Sequence, residues 1–166
     1  EEPLVTDEYV KKLTRIGIEE GTVAHSESEM ISNIFHLHDQ TAADLMTELN
    51  HADLVNADES VESIKEEILS SPYSRIPVFK STKDNIVGIL HKDDALMALA
   101  EDEDDTEIED IMRLAHFCQD SINAHLLLRK MQTLRTHMCI VKSQGVAAGI
   151  ITLEDILEEL VGDITD

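Results

Sequence analysis

Apolar positions follow two regimes along this chain, a helical spacing near the start and short strand-like runs later. Within residues 7–20, Val10, Leu13 and Ile16 recur three apart, which predicts a helix, and Gly21 predicts its stop. Ser26 followed by Glu29 fits a capping box. Met30, Ile31, Ile34, Phe35 and Leu37 then predict the apolar stripe of a second helix. Beyond it the pattern is of another kind. Val61, Ile64, Ile68 and Leu69 outline a helix, Ile76-Pro77-Val78-Phe79 a short strand, and Ile86-Val87-Gly88-Ile89-Leu90 a second strand after a polar turn. A closing helix carries Leu96 and Leu99.

The same order of elements then recurs. Asp44-Leu45-Met46-Thr47 is echoed by Asp110-Ile111-Met112-Arg113, and a helix through Ile122, Leu126, Arg129 and Leu134 follows the second opening. Met138-Cys139-Ile140-Val141 matches the first short strand, Ala147-Ala148-Gly149-Ile150-Ile151 the second, and Ile156, Leu157 and Leu160 the closing helix. Val61 to Ile122, Gly88 to Gly149 and Asp94 to Asp155 are each 61 positions apart. Two copies at so long a period do not suit a solenoid; they suit two small α/β units packed in one pseudo-symmetric domain. Residues 1–39 read as an N-terminal helical segment, 40–100 as the first repeat, and 101–166 as an acidic linker with the second repeat. The run Glu101-Asp102-Glu103-Asp104-Asp105 lacks the glycine and spacing of an EF-hand loop and reads as a solvated linker.

Charge narrows the partners. With 35 acidic and 13 basic side chains in 166 residues, the formal net charge is −22, which argues against nucleic acid and against adhesion to anionic lipid. Cys118 and Cys139 form no CxxC pair and no zinc spacing, so reduced thiols and an intracellular compartment are expected. No stretch approaches the roughly 20 apolar residues of a membrane span, and no signal peptide is visible. The chain begins Glu-Glu-Pro without Met, which reads as a piece of a longer protein.

The most informative segment closes the second repeat, where Gly149-Ile150-Ile151-Thr152-Leu153-Glu154-Asp155 reads as a strand turning straight into a helix. Such a turn puts a hydroxyl, free backbone N–H groups and a carboxylate at one spot, a seat for a sugar and a phosphate. Thr152 and Asp155 also fit a ligand-free capping pair, a pattern common without any ligand. Arg75 also fits a surface arginine paired with an acid, and Pro77 the start of an edge strand.

Taken together, the Asp-x-Met openings, Tyr73-Ser74-Arg75-Ile76-Pro77-Val78, Asp84-Asn85-Ile86-Val87-Gly88-Ile89-Leu90 and the stretch from Thr152 to Ile164 resemble a tandem CBS-domain pair (a Bateman module). More narrowly, they resemble the pair of the CorC/HlyC-like, hemolysin-related magnesium and cobalt efflux proteins, from about residue 25 onward. The resemblance implies an α+β fold of two βαββα CBS repeats packed as a pseudo-twofold pair behind N-terminal helices. It implies a homodimer and a cytoplasmic location beside a membrane transport domain, with a small C-terminal domain beyond. It implies an adenine nucleotide, ATP or AMP, with Mg2+ on the phosphates, bound between the repeats to regulate transport rather than to react.

Carried onto this sequence, the resemblance assigns the nucleotide to Thr47, Tyr73, Ser74, Arg75, Ile76, Pro77, Ile150, Thr152 and Asp155. Arg75 and Ser74 would meet phosphate, Thr152 a phosphate or ribose oxygen, and Asp155 the ribose hydroxyls. Tyr73, Pro77 and Ile150 would wall the base, Thr47 would meet its edge, and backbone near Val55 and Ile76 would contribute. Glu48, where proline is frequent, and Lys142-Ser143-Gln144-Gly145, where an acidic turn is frequent, depart from the pattern. In the pseudo-equivalent second cleft His91 replaces the threonine while Asp94 keeps the carboxylate, and the Ser-Arg counterparts fall near Thr136 and His137, so one site per chain is expected.

Two other functions fit the composition: a dimerisation module with an empty cleft, and a direct divalent-cation sensor on the acidic surface. The eight histidines are scattered; His36 and His38, two apart on a helix, do not share a face. With no phosphate loop and no nucleophile motif, no catalytic constellation is evident.

Overall fold

The computed structural model describes residues 7–21, 24–103 and 105–162, so Asp104 of the acidic run and Asp163-Ile164 of the closing segment lie outside it. Two N-terminal helices, α1 (Asp7–Glu19) and α2 (His25–His38), precede a short α3 (Ala42–Leu45) and β1 (Thr47–Glu48). A 3-10 turn (Leu49–His51) leads into β2 (Val55–Asn56), α4 (Lys65–Ser70), β3 (Arg75–Lys80), β4 (Thr82–His91) and α5 (Lys92–Ala100). The second copy runs α6 (Ile108–Ile111), β5 (Phe117–Gln119), α7 (Ala124–Leu134), β6 (Met138–Ser143), β7 (Val146–Thr152) and α8 (Leu153–Val161). Both copies are therefore βαββα units within an α+β fold.

The chain crosses itself in a way that linear division misses. One sheet has the order β2-β3-β4, the other β1-β7-β6-β5, so β1 joins the sheet of the second repeat. It pairs antiparallel with β7, Thr47 opposite Ile150. The pseudo-equivalent exchange is a single bridge between Arg113 and Ile89 on β4. Each Asp-x-Met opening thus lies on the sheet of the opposite repeat. The glycines matched between the repeats explain why. A Cβ on Gly149 would stand 2.5 Å from the Thr47 carbonyl oxygen and 2.6 Å from Met46 Sδ. One on Gly88 would stand 2.5 Å from Met112 Sδ. Both positions demand the missing side chain because a crossing backbone and a methionine lie directly over them.

Among the described residues, three apolar clusters fill the interior. One holds the second repeat with Leu37 and Ala42 from the N-terminal part. Another holds the first repeat with Ile108 from the second opening. A third, with Ile86, Ile89, Met138, Ile140 and Ala147, glues the two sheets together along the cleft. Burying such surface contributes about 25 cal/mol per Å², so these shared clusters make the two repeats one cooperative body.

Several side chains face differently from expectation. Helix α2 begins at His25 behind Ala24, so Ser26 sits inside the first turn and caps nothing; Glu29 instead meets His25 Nε2 at 3.1 Å. In α7 the buried face is Ala124, Leu127, Leu128 and Met131, while Leu126 and Leu134 are exposed. The true N-cap there, Asn123, accepts from the His125 and Leu126 N–H groups, which sets the helix face differently from the homologous spacing. Leu69, Met30 and Ile34 are likewise exposed. Pro77 lies in the middle strand, not at an edge, but the short β2 is registered only with Val78 and Phe79, so no ladder partner is lost on that side. Among the described residues no helix is long and apolar enough to cross a membrane.

Candidate functional site: a cleft between the repeats

Where β7 ends, Thr152 caps α8. Its Oγ1 accepts from the Asp155 N–H at 3.2 Å, while Asp155 Oδ2 accepts from the Thr152 N–H at 2.9 Å. This reciprocal box fixes the turn before any ligand arrives. One position further, the Leu153 N–H donates to the His137 carbonyl at 2.8 Å, and its counterpart, the Lys92 N–H, donates to the Ser74 carbonyl at 2.8 Å. In each repeat the start of the closing helix is thereby clamped to the loop that feeds the preceding strand.

The loop carrying Tyr73 and Ser74 is held from beneath by Ser71. Its hydroxyl donates to Asp53 Oδ2 at 3.2 Å and accepts from the Tyr73 N–H at 3.3 Å, and its carbonyl accepts from Lys92 Nζ at 2.7 Å. Nothing in sequence spacing marks Ser71 for this role. It became visible only when the fold brought Asp53 and Lys92 together.

These elements enclose a cavity of about 400 Å³ lined from both repeats. Eight of the nine residues singled out from sequence line it: Thr47, Tyr73, Ser74, Arg75, Pro77, Ile150, Thr152 and Asp155. The ninth, Ile76, points into the core of the first repeat with 1% exposure and does not line the cavity. Sequence reasoning missed His51, Asp53, His137, Met138 and Glu154, which also line the cavity. Among the described residues that line it, Arg75 is the one permanent cation, against the three carboxylates Asp53, Glu154 and Asp155. His137 Nδ1 lies 3.8 Å from Glu154 Oε1 across the rim.

The pseudo-equivalent cleft is a different place. Met138 stands opposite Thr152 as Arg75 stands opposite His91, so the counterparts of Ser74 and Arg75 are His137 and Met138, one residue beyond the expected Thr136 and His137 and two beyond the strict 61-position spacing. The cause is the hairpin: from Val78 to Gly88 it is two residues longer than from Val141 to Gly149. A hollow of about 320 Å³ beside Asp94 and Arg113 is completed by Met97, Ala98, Glu101, Glu103 and Ile111, and not by His91, His137 or Met138. Arg113 holds both Asp94 oxygens, with Nε–Oδ2 at 2.8 Å and Nη2–Oδ1 at 3.0 Å. That hydrogen-bonded guanidinium pulls the Asp94 carboxyl below its ordinary range, while burial, and then Arg113 and Arg75, push His91 below its own.

Known proteins can now be set beside this geometry. The family described as "CBS domain" matches residues 42–101 and 102–162. The chain belongs to the CBS domain family. It is a tandem pair, and the CorC type is the one it resembles in detail. It is 33% identical over 165 residues to "UPF0053 protein sll1254" of Synechocystis, covering 99% of this chain and 48% of that protein. To "Magnesium and cobalt efflux protein CorC" of Pasteurella multocida it is 32% identical over 139 residues, 83% of this chain and 46% of that protein. The chain thus spans about half the length of these curated relatives. In three dimensions it matches the CBS domain of a bacterial CNNM/CorC family Mg2+ transporter with a TM-score of 0.88 at 30% identity, covering 98% of this chain and all of the other. A structure of such a CBS domain in complex with ATP matches with a TM-score of 0.78 at 30% identity, over 83% of this chain and 99% of that one.

Proposed function

We propose that this CBS pair binds an adenine nucleotide in the cleft between its repeats, ATP carried with Mg2+ or AMP, and regulates the transport part of a membrane divalent-cation (Mg2+/Co2+) transporter from the cytoplasmic side. The observation that carries the reading is the convergence of Thr47, Arg75, Thr152 and Asp155, from both repeats, on one cavity of about 400 Å³. Such a volume suits a drug-sized ligand. The ATP-bound relative supports the choice of ligand.

The chemistry fits residue by residue. Arg75 offers a planar fork of donors to phosphate oxygens. The N-terminus of α8 adds the positive end of a helix dipole, its Leu153 and Asp155 N–H groups being already engaged by the His137 carbonyl and Thr152 Oγ1. Asp155 Oδ2 is engaged in the cap, which leaves Oδ1 to accept from ribose hydroxyls. Pro77, Ile150 and the exposed Tyr73 would wall the base, and Ile76 would contribute through its backbone. Mg2+ would neutralise phosphate charge that Arg75 alone does not balance. Bound nucleotide would favour one packing of the repeats, and α2, whose Asn33 side chain donates to the Leu160 carbonyl on α8 and against which α1 packs, would pass that bias outward. Exposed Leu96 and Met97 on α5 and Leu157 and Val161 on α8 offer apolar surface for a homodimer.

Calorimetric titration with ATP, with and without Mg2+, and with AMP tests the reading. Saturable binding near one nucleotide per chain, lost in R75A and D155A, is expected. Absence of binding by any nucleotide would leave the pair as a dimerisation module, and saturable Mg2+ binding without nucleotide would make it a cation sensor. Among the described residues no three His, Cys, Asp or Glu side chains gather in a metal-binding arrangement.

A further inference from the structure

Counting charge around the cleft raises a difficulty for any phosphate ligand. Arg75 brings one positive charge, while Asp53, Glu154 and Asp155 bring three negative ones, so the lining is net negative by two when its imidazoles are neutral. The two remaining ionisable nitrogen bases in the lining are His51 and His137. Protonating both brings the lining to neutrality. We propose that His51 and His137 take up protons as the cleft accepts phosphate, so that nucleotide affinity in this module rises as pH falls. This rests on the nucleotide reading above and adds to it a second input.

Position supports the role. The carbonyl of His137 accepts the Leu153 N–H, which seats this residue at the N-terminus of α8, where an anion gains most from the helix. Its imidazole reaches Glu154 at 3.8 Å. His51 ends the 3-10 turn on the opposite wall, and its Nδ1 lies 3.9 Å from Glu48 Oε2. Each ring therefore has a carboxylate at its side, and both rings stay accessible at 49% and 70% side-chain exposure, free to turn toward a ligand. Tyr73 is the other titratable side chain on the wall. Imidazole is the side chain whose charge changes near neutral pH, and an anion beside it favours the charged form. Linkage then requires that phosphate binding draw in protons and that protons strengthen binding.

The experiment titrates the intact chain with ATP, AMP and adenosine between pH 8 and pH 6, in the wild type and in H51Q/H137Q. The terminal phosphate of a nucleotide titrates in the same range, so the difference between the two proteins is the readout. The wild type should tighten about tenfold more than the double variant across that interval for ATP and AMP, and neither should change for adenosine. Wild-type heats in buffers of different ionisation enthalpy should show net proton uptake beyond that of the variant. Equal pH slopes in the two proteins would overturn the inference while leaving nucleotide binding intact. Failure of all three ligands to bind at any pH would overturn both.

Discussion

Arg113 and Asp94 are locked in a two-pronged ion pair at the spot where, in the other cleft, Thr47 and Asp155 face an open cavity. At these positions the pseudo-symmetry of the two clefts is therefore broken by side chains. In one cleft the carboxylate at the third helical position is available. In the other it is already satisfied, beside a histidine in place of the capping threonine and a methionine in place of the arginine.

That pair shapes the acid limb of stability. Asp94 is held below its ordinary range, so it stabilises the fold above the unfolded-state value near pH 4 and loses that contribution as pH falls through its folded value. His91 is also lowered, mainly by burial, so its protonation opposes folding as pH drops below about 6.5. H91Q should flatten the stability loss between about pH 7 and 5, and R113A should soften the loss below about pH 4. The effects are expected to be small because the side chains of the pair face solvent. Urea unfolding at stepped pH measures both, and parallel curves for all three proteins would contradict the assignment.

The crossing of the two openings predicts an asymmetric response to a symmetric mutation. In G149A the new methyl group collides with the Thr47 carbonyl and with Met46; in G88A it collides chiefly with the Met112 side chain. Each should cost about 1–3 kcal/mol as overpacking. Only G149A displaces Thr47, which lines the cavity, so only G149A should also weaken nucleotide binding. Chemical denaturation and calorimetry on the pair of variants separate the two consequences. Equal binding by both would mean that Thr47 does not set the site.

Much of this was legible in the chain because repetition amplifies weak local signals. Gly88, Gly149 and the two Asp-x-Met openings marked the register, and the strand-to-helix turn at Thr152 could be read from its cap. What could not be read was the exchange of openings between sheets, since no local pattern says which sheet Thr47 will join. The faces of α7 were misjudged because Asn123, and not the repeat spacing, sets where that helix begins. His51, His137, Glu154 and the bracing Ser71 were missed for a related reason. Each matters through contacts made across the cleft or across the loop, at sequence separations where pattern carries no information.

The two cysteines give a check on the packing of the second repeat. Cys118 and Cys139 are both free and buried in its core cluster. Burial pushes the Cys118 thiol up to about 12, and Cys139 is raised for the same reason, so neither supplies thiolate near neutral pH. Labelling with a thiol reagent at pH 8 should be slow and should follow the rate of opening of the fold, accelerating with urea. Fast labelling of the native chain would mean that β5 and β6 separate readily.

The cap and the cation of the cleft should come apart experimentally. Thr152 accepts from the Asp155 N–H in the ligand-free protein, so T152A removes a helix cap and should cost about 1 kcal/mol of stability whatever binds there. Arg75 has no comparable structural duty in the described residues beyond its place opposite His91. R75A should therefore leave unfolding nearly unchanged while weakening ATP by at least tenfold, about 1.4 kcal/mol, and adenosine hardly at all. D155N lies between the two. An asparagine oxygen can still accept from the Thr152 N–H, so the cap largely survives, yet the charge that would hold the ribose hydroxyls is gone. Measuring thermal midpoint and nucleotide affinity on the same three variants tests whether the turn is only a cap. If affinity falls in step with stability across all three, the cleft does no more than hold its own helix; if R75A and D155N lose affinity while remaining stable, the turn also binds.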